Sequence, residues 1–238
     1  MGNKSINPKV ILITGTSEGI GYFLAKYYIK KEYVVVGCSR SDCDINNSNY
    51  YHIKGDISKE ESILEIFRFI RSRFSRLDVV INNAAVNPAI LNIAFLPYNT
   101  IENIYRINVM APIFICREAV KLMIRNKSGR IINIGSMATK HEVAGEALYT
   151  STKSSLNAFT RVLAKEVYKY GITANVISPS IIDTKLSRTI NKEAIAVILS
   201  RNVIHEYGEF TDVSNSIDFL LCESSKCITG QLIYLGGV

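Results

Sequence analysis

Seven short runs rich in β-branched residues alternate along this chain with longer segments of helical period, and that alternation restricts the fold more than any other feature. The runs are Lys9 to Thr14, Tyr33 to Cys38, Tyr50 to Lys54, Leu77 to Asn82, Arg130 to Gly135, Thr173 to Ile177 and Gln231 to Leu235. Several are apolar without alternation, the pattern of strands covered on both faces. Between them lie Ile20 to Lys31, Lys59 to Phe74, Ile101 to Arg125, Tyr149 to Tyr170 and Asp212 to Glu223, with apolar residues at spacings of three and four. Strand, helix and strand in regular succession predict an α/β fold, a doubly wound parallel sheet of about seven strands with helices on both faces. No linker, repeat or low-complexity tract divides residues 1–238, so a single domain is expected. Sheets of this kind bind ligands beyond the carboxyl ends of their strands, so chemistry belongs in the segments that follow each run.

Composition narrows the function classes. At 238 residues, 47% hydrophobic and 21% charged, the chain can bury most of its unfolded surface without disulfides or metals. Its longest apolar runs are too short to span a bilayer. The opening Met-Gly-Asn-Lys-Ser-Ile has no apolar signal core, and Ile6 breaks the myristoylation pattern, so a cytoplasmic protein with no membrane partner is expected. Five cysteines, an odd number with no Cys-x-x-Cys pair, suit free thiols in a reduced compartment. The three histidines are scattered and nothing has zinc-ligand spacing, so no metal is expected. The net charge of +7 is spread along the chain without a basic block interleaved with aromatics, which reads as a solvated surface rather than a nucleic-acid site.

The first run ends in Thr14 and leads into Gly15-Thr16-Ser17-Glu18-Gly19-Ile20-Gly21, between a strand and an apolar-periodic helix. Glycines there permit a tight turn and close backbone approach, and the helix N-terminus favours a phosphate. One glycine turn is weak evidence alone. At the first strand of an alternating pattern it favours dinucleotide binding, and the absence of Gly-Lys-Ser/Thr excludes a Walker loop.

Here the sequence resembles the short-chain dehydrogenase/reductases. Thr14-Gly15-x3-Gly19-x-Gly21 is similar to their cofactor loop, and Asn82-Asn83-Ala84-Ala85 stands where they usually have Asn-Asn-Ala-Gly. Asn108-Val109-x-Ala111-Pro112, Ile134-Gly135-Ser136 and Tyr149-x3-Lys153 follow in family order. So do Pro179-Ser180-Ile181-Ile182-Asp183-Thr184, Ile228-Thr229-Gly230-Gln231 and Gly236-Gly237. The resemblance covers nearly the whole chain and implies a Rossmann-type domain that transfers hydride between a nicotinamide and a carbonyl/alcohol pair. It implies cofactor contacts from Gly15, Ser17, Glu18, Gly19, Ile20, Gly21, Ser39, Arg40, Asp56, Ile57, Asn83, Ala84, Ala85, Tyr149, Lys153, Pro179, Ile182 and Thr184. Two departures stand beside the cofactor: Ala85 and Ser180 replace the usual glycines, and a serine would be strained if that backbone needed a positive φ.

On a helix Tyr149 and Lys153 lie one turn apart on one face. The lysine ammonium should favour the phenolate and pull the phenol below its usual pKa of about 10. Tyr149 is then the proton donor in reduction, and Ser136 can orient and polarise the same carbonyl. The resemblance adds that Lys153 holds the nicotinamide ribose and that Asn108 holds a water linking Lys153 to solvent. In isolation Tyr149 would read as a packed aromatic, Lys153 as a solvated residue and Asn108 as a helix cap; the four in family order make the catalytic reading the better one.

Ser39 and Arg40 follow the second strand, where NAD-preferring members carry an acidic residue. A carboxylate repels a 2′-phosphate, whereas Arg40 can bond it through its planar fork and Ser39 can donate as well, so NADPH is expected ahead of NADH. The alternative leaves Arg40 in solvent, with Asp42 or Asp44 serving NAD. Asp56 matches the adenine position of the family, or caps the following helix.

Substrate recognition is expected from Met137 to Leu148, Val86 to Tyr98 with Ile90, Leu91, Phe95 and Leu96, and a lid at about 185–207. The overall pattern is most similar to 3-oxoacyl-[acyl-carrier-protein] reductases, in which Arg130 could meet an acidic carrier protein; Tyr170 stands where those enzymes often have a second basic residue. A sugar or small-ketone dehydrogenase of the same family is the alternative, and a non-catalytic NADPH-binding scaffold or sensor is the alternative from another class. The helix from Tyr149 has a second apolar face, Ala158 and Val162, which suggests a homodimer or homotetramer.

Overall fold

The structure, a computed structural model, describes residues 8–87, 91–190 and 192–237. Its centre is one seven-stranded sheet, all parallel, in the order β3-β2-β1-β4-β5-β6-β7. The strands are β1 (Val10–Thr14), β2 (Val34–Ser39), β3 (Tyr50–Lys54), β4 (Val79–Asn82), β5 (Gly129–Ile134), β6 (Ile172–Ser178) and β7 (Leu232–Tyr234). All seven expected strands are present. The continuous apolar runs have a simple cause. Along β1, Val10 and Leu12 enter one core and Ile11 and Ile13 the other, because successive side chains point to opposite faces.

The helices complete the two layers. α1 (Gly19–Lys30) and α8 (Phe210–Leu221) cover one face through Leu24, Tyr28 and Ile217. α2 (Glu60–Phe74), α4 (Ala111–Asn126) and α6 (Ala147–Val167) cover the other through Phe67, Ile115 and Leu163. The chain runs outward from β1 to β3, then returns to place β4 on the other side of β1. Loops therefore diverge between β1 and β4, and a cleft opens at the carboxyl ends.

Two details differ from the expectation. The helix expected from Ile101 to Arg125 begins at Tyr98 as α3 (Tyr98–Tyr105), widens into a π turn over Arg106–Met110, and continues as α4. Single π turns tend to sit at functional sites, and this one carries Asn108. Two short helices, α5 (Ala138–His141) and α7 (Lys192–Ser200), have too few residues for periodicity to reveal. Ile90, one of the expected substrate-segment residues, lies outside the described residues.

Arg130 is a correction. Its side chain is only 7% exposed, near the amino end of β5, with Glu223 at 3.8 Å. That is the end of the sheet away from the cleft, and the guanidinium is not presented for a carrier protein.

Candidate active site

Six strand ends, those of β1 to β6, open into one groove of about 680 Å³. Of the residues expected at the site, all line it except Gly21 and Asn108, which stand behind its walls. Gly21 serves the wall sterically: a Cβ there would stand 2.2 Å from the Gly15 carbonyl oxygen, so no side chain can separate α1 from the β1 turn. Gly15 has φ 75°, which a side-chain-bearing residue rarely adopts. Thr14, which the sequence showed only as the head of the glycine motif, clamps the two central strand ends. Its Oγ1 accepts from the backbone N–H of Asn83 at 3.0 Å and of Ala84 at 2.9 Å, and Asn83 Nδ2 donates back to the Thr14 carbonyl at 2.9 Å.

A dinucleotide suits this end of the groove. The α1 N-terminus opens onto it without an acidic residue in the first turn, and Glu18, the N-cap residue, makes no side-chain cap bond. Orphan N–H groups of that kind favour a phosphate. Glu18 instead pairs with Lys185 at 2.9 Å, joining the β1 turn to the segment after β6.

At the next strand end Arg40 lines the groove, exposed, with no ion pair among the described residues. The carboxylates that could have served the ribose hydroxyls are occupied. Asp42 pairs with Lys54 at 2.9 Å, and Asp44 sits beside the Tyr22 hydroxyl. Ser39 is a partial correction. Its hydroxyl proton goes to the Ser41 carbonyl at 2.7 Å, so it can accept but not donate to a ligand. Asp56 accepts from the Ser58 N–H at 3.0 Å in a turn that begins three residues before Lys59, the N-cap of α2, so it is not the helix cap. That bond and the charge of Arg40 outweigh burial and hold its carboxyl below the usual range.

At the other end α6 brings Tyr149 and Lys153 to the wall that carries Ser136, two residues past the end of β5. All three line the groove, and Ser136 faces the Tyr149 hydroxyl. The expected lowering of the phenol by lysine does not occur. Burial pushes Tyr149 up to about 12, against the Ser136 contact that lowers it and with the Glu146 charge that raises it. Burial also pushes Lys153 down to about 8. Desolvation wins for both groups because the ammonium donates to the Ile134 carbonyl at 2.8 Å and lies 5.8 Å from the centre of the tyrosine ring. At neutral pH the phenol keeps its proton.

Asn108 is wholly buried, and its amide is used within the fold, on the Val86 backbone and on the Thr152 hydroxyl of α6 at 3.2 Å. Nδ2 donates to the Val86 carbonyl at 2.8 Å, and Oδ1 accepts from the Val86 N–H at 2.9 Å. It fixes the loop after β4 against the π turn.

The two departures from the glycine pattern carry no strain. Neither Ala85 nor Ser180 has a positive φ. Ser180 instead anchors a latch. Its hydroxyl accepts from Asn202 Nδ2 at 2.7 Å, and Asn202 Oδ1 pairs with His141 Nε2 at 2.8 Å. The Arg201 guanidinium donates to the His141 carbonyl at 2.6 Å. This ties the far end of the expected lid to the loop after β5, a link between distant residues that no local pattern announces.

The chain was compared with known proteins. The family described as short chain dehydrogenase matches residues 9–195. A "3-oxoacyl-[acyl-carrier-protein] reductase FabG" of Buchnera aphidicola subsp. Schizaphis graminum is 30% identical, with 98% of this chain and 97% of that protein covered. Among solved structures, "ElxO with NADP Bound" superimposes with a TM-score of 0.87 at 28% identity, covering 95% of this chain and 96% of the other. "4-hydroxyisoleucine dehydrogenase complexed with NADH" gives 0.84 at 27% identity, covering 96% and 97%. With its parallel sheet, its glycine turn and a serine, tyrosine and lysine on one wall of the groove, this chain belongs to the short chain dehydrogenase family and is an NAD(P)-dependent oxidoreductase.

Proposed function

We propose that the chain reduces a carbonyl to a secondary alcohol with NADPH. The observation that carries this reading is the single groove running from an unpaired guanidinium, Arg40, to the facing hydroxyls of Ser136 and Tyr149. When bound, NADPH supplies hydride to the carbonyl carbon. Tyr149, kept protonated by burial, gives its proton to the carbonyl oxygen, and Ser136 orients that oxygen. Lys153 holds the nicotinamide ribose, having a protonated and a neutral form both within reach of ordinary pH. Asn108 acts as a positioning residue for the loop after β4, and any solvent link to Lys153 runs past the backbone of the π turn rather than through its amide. The glycine turn, with Ser17, Glu18 and Ile20, holds the pyrophosphate. Asp56 and Ile57 border the adenine, Arg40 takes the 2′-phosphate with Ser39 bordering it, and Asn83 to Ala85, Pro179, Ile182 and Thr184 border the nicotinamide half.

The relatives support NADPH and NADH in turn, since one solved neighbour carries NADP and another NADH. The engaged Asp42 and Asp44 favour the phosphorylated cofactor. For the substrate, the FabG relative supports a 3-oxoacyl thioester. A smaller polar ketone is the second reading, favoured by the burial of Arg130 away from the cleft. The exposed Ala158 and Val162 on α6 support a homodimer or homotetramer, and five free cysteines support a cytoplasmic setting. No helix among the described residues is long and apolar enough to cross a membrane.

The test is oxidation of NADPH and of NADH by the purified chain with 3-oxoacyl thioesters, keto-sugars and small ketones. Turnover with NADPH preferred is expected. Tight NADPH binding without turnover across the panel would make the chain a scaffold, and preference for NADH would overturn the assignment to Arg40.

A further inference from the structure

Glu146 is a buried carboxyl that the fold leaves without a partner. It is 5% exposed, it lines the groove together with Tyr149, Ser136 and His141, and none of the hydrogen bonds or ion pairs of the described residues involves its side chain. Its place makes this odd. Glu146 is the N-cap residue of α6, where a side-chain oxygen ordinarily accepts from the N–H groups of the first turn. Here the side chain makes no cap bond and is directed to the groove instead. Burial of most of the residue pushes its carboxyl above the usual range, while its oxygens keep access to the groove. Buried residues are almost always paired within the fold, and a carboxyl left unpaired with its oxygens open to the groove is free to take a donor that arrives there.

We propose that Glu146 is a specificity-determining residue that accepts a hydrogen bond from an O–H or N–H group of the substrate. This rests on the reading of the groove as a carbonyl-reducing site and deepens it. The helix sets the reach. Glu146 stands just before the first turn of α6, near enough for its charge to act on the Tyr149 phenol, so the donor taken by Glu146 lies close to the oxygen protonated by Tyr149. The substrate class is therefore a ketone bearing a hydroxyl or amine one or two carbons from the carbonyl. An apolar group at that place leaves the carboxyl unpaired in the complex as well, and sites built around a hydrogen bond reject analogues that lack the donor.

Two readouts on the full-length chain test this. The first is selectivity: kcat/KM with NADPH for hydroxyacetone against methoxyacetone, with aminoacetone as the charged donor, for the wild type, E146Q and E146L. The wild type should favour a donor-bearing ketone over the ether by about tenfold or more. E146L should bring that ratio close to one, and E146Q, which keeps an acceptor, should lie between. Preference for aminoacetone or for hydroxyacetone tells an ammonium from a hydroxyl donor. The second readout is the melting temperature without ligand. Removing an unpaired buried carboxyl should raise it in E146L by a few degrees. An unchanged selectivity ratio in E146L overturns the proposal while leaving the carbonyl-reductase reading intact. A fall in melting temperature in both variants shows a partner within the fold and overturns it too. No turnover of any ketone by the wild type removes the underlying reading, and the proposal with it.

Discussion

The two ends of the groove hold their ionisable groups in opposite ways. At the adenosine end the charges are exposed. Arg40 is in solvent, Asp42 and Lys54 form an open pair, and Asp56 keeps its charge beside Arg40. At the nicotinamide end they are buried, and burial moves each toward its neutral form: Tyr149 up, Lys153 down, Glu146 up. Screened charge suits recognition of a phosphate without large cost. Desolvated groups suit proton transfer, where the protonated form must survive at neutral pH. One end is built to bind and the other to react, and the residues of each should fail in different ways.

The largest expected effect lies at the buried end. Tyr149→Phe should lower kcat by roughly 10²-fold or more while leaving NADPH affinity near wild type, as read by cofactor fluorescence and by turnover. Comparable activity in this variant would remove the chemistry from the buried end.

Next in size is a change at the exposed end. Ser39→Asp combined with Arg40→Ala should shift the NADPH:NADH ratio of kcat/KM toward NADH by about tenfold or more, with a smaller change in kcat. High salt should weaken NADPH binding in the wild type more than in the double variant, because the Arg40 contribution is a screened one. An unchanged cofactor ratio would break the comparison at this end.

The latch gives a smaller effect. Asn202→Ala removes both the bond to Ser180 and the pairing with His141. It should raise KM for the carbonyl several-fold with little change in kcat, since it loosens substrate closure and leaves the reacting groups in place. Ser180→Gly should do part of the same, which would show that this departure from the family's glycine has acquired a use.

The smallest effect is on stability. Lys153 has a folded pKa of about 8 against 10.5 unfolded, so between those values the unfolded chain binds more protons. Its contribution must therefore rise with pH across that window, the charged form being the penalised one. Tyr149 acts in the opposite sense at higher pH. Its folded pKa of about 12 exceeds the unfolded 10.0, and stability is lost once the unfolded phenol ionises. Chemical denaturation of Lys153→Met should show a flatter rise than the wild type between pH 8 and 10.

The same division explains what could be read in advance. The sheet was legible because β1, β2 and β4 are buried on both faces and advertise it as apolar runs. The groove was legible because its walls are strand ends, and strand order puts Gly15, Arg40, Ser136 and Tyr149 together. What stayed hidden depended on desolvation or on distant pairs. Tyr149-x3-Lys153 reads as an ion-assisted phenol on any helix, and only the burial of both shows that solvent loss outweighs their attraction. The Ser180–Asn202–His141 latch joins residues about sixty and twenty positions apart, beyond any local pattern. Glu146 falls inside the expected substrate segment Met137 to Leu148, and its lack of a partner is a property of packing.

A crystal structure of the chain with NADPH and an unreactive alcohol is the most direct test of the whole account. It should place the nicotinamide ring beside the Tyr149 and Ser136 hydroxyls and the 2′-phosphate on Arg40. A dinucleotide bound the other way round, or a ring held away from the Tyr149 hydroxyl, would contradict the division into a binding end and a reacting end.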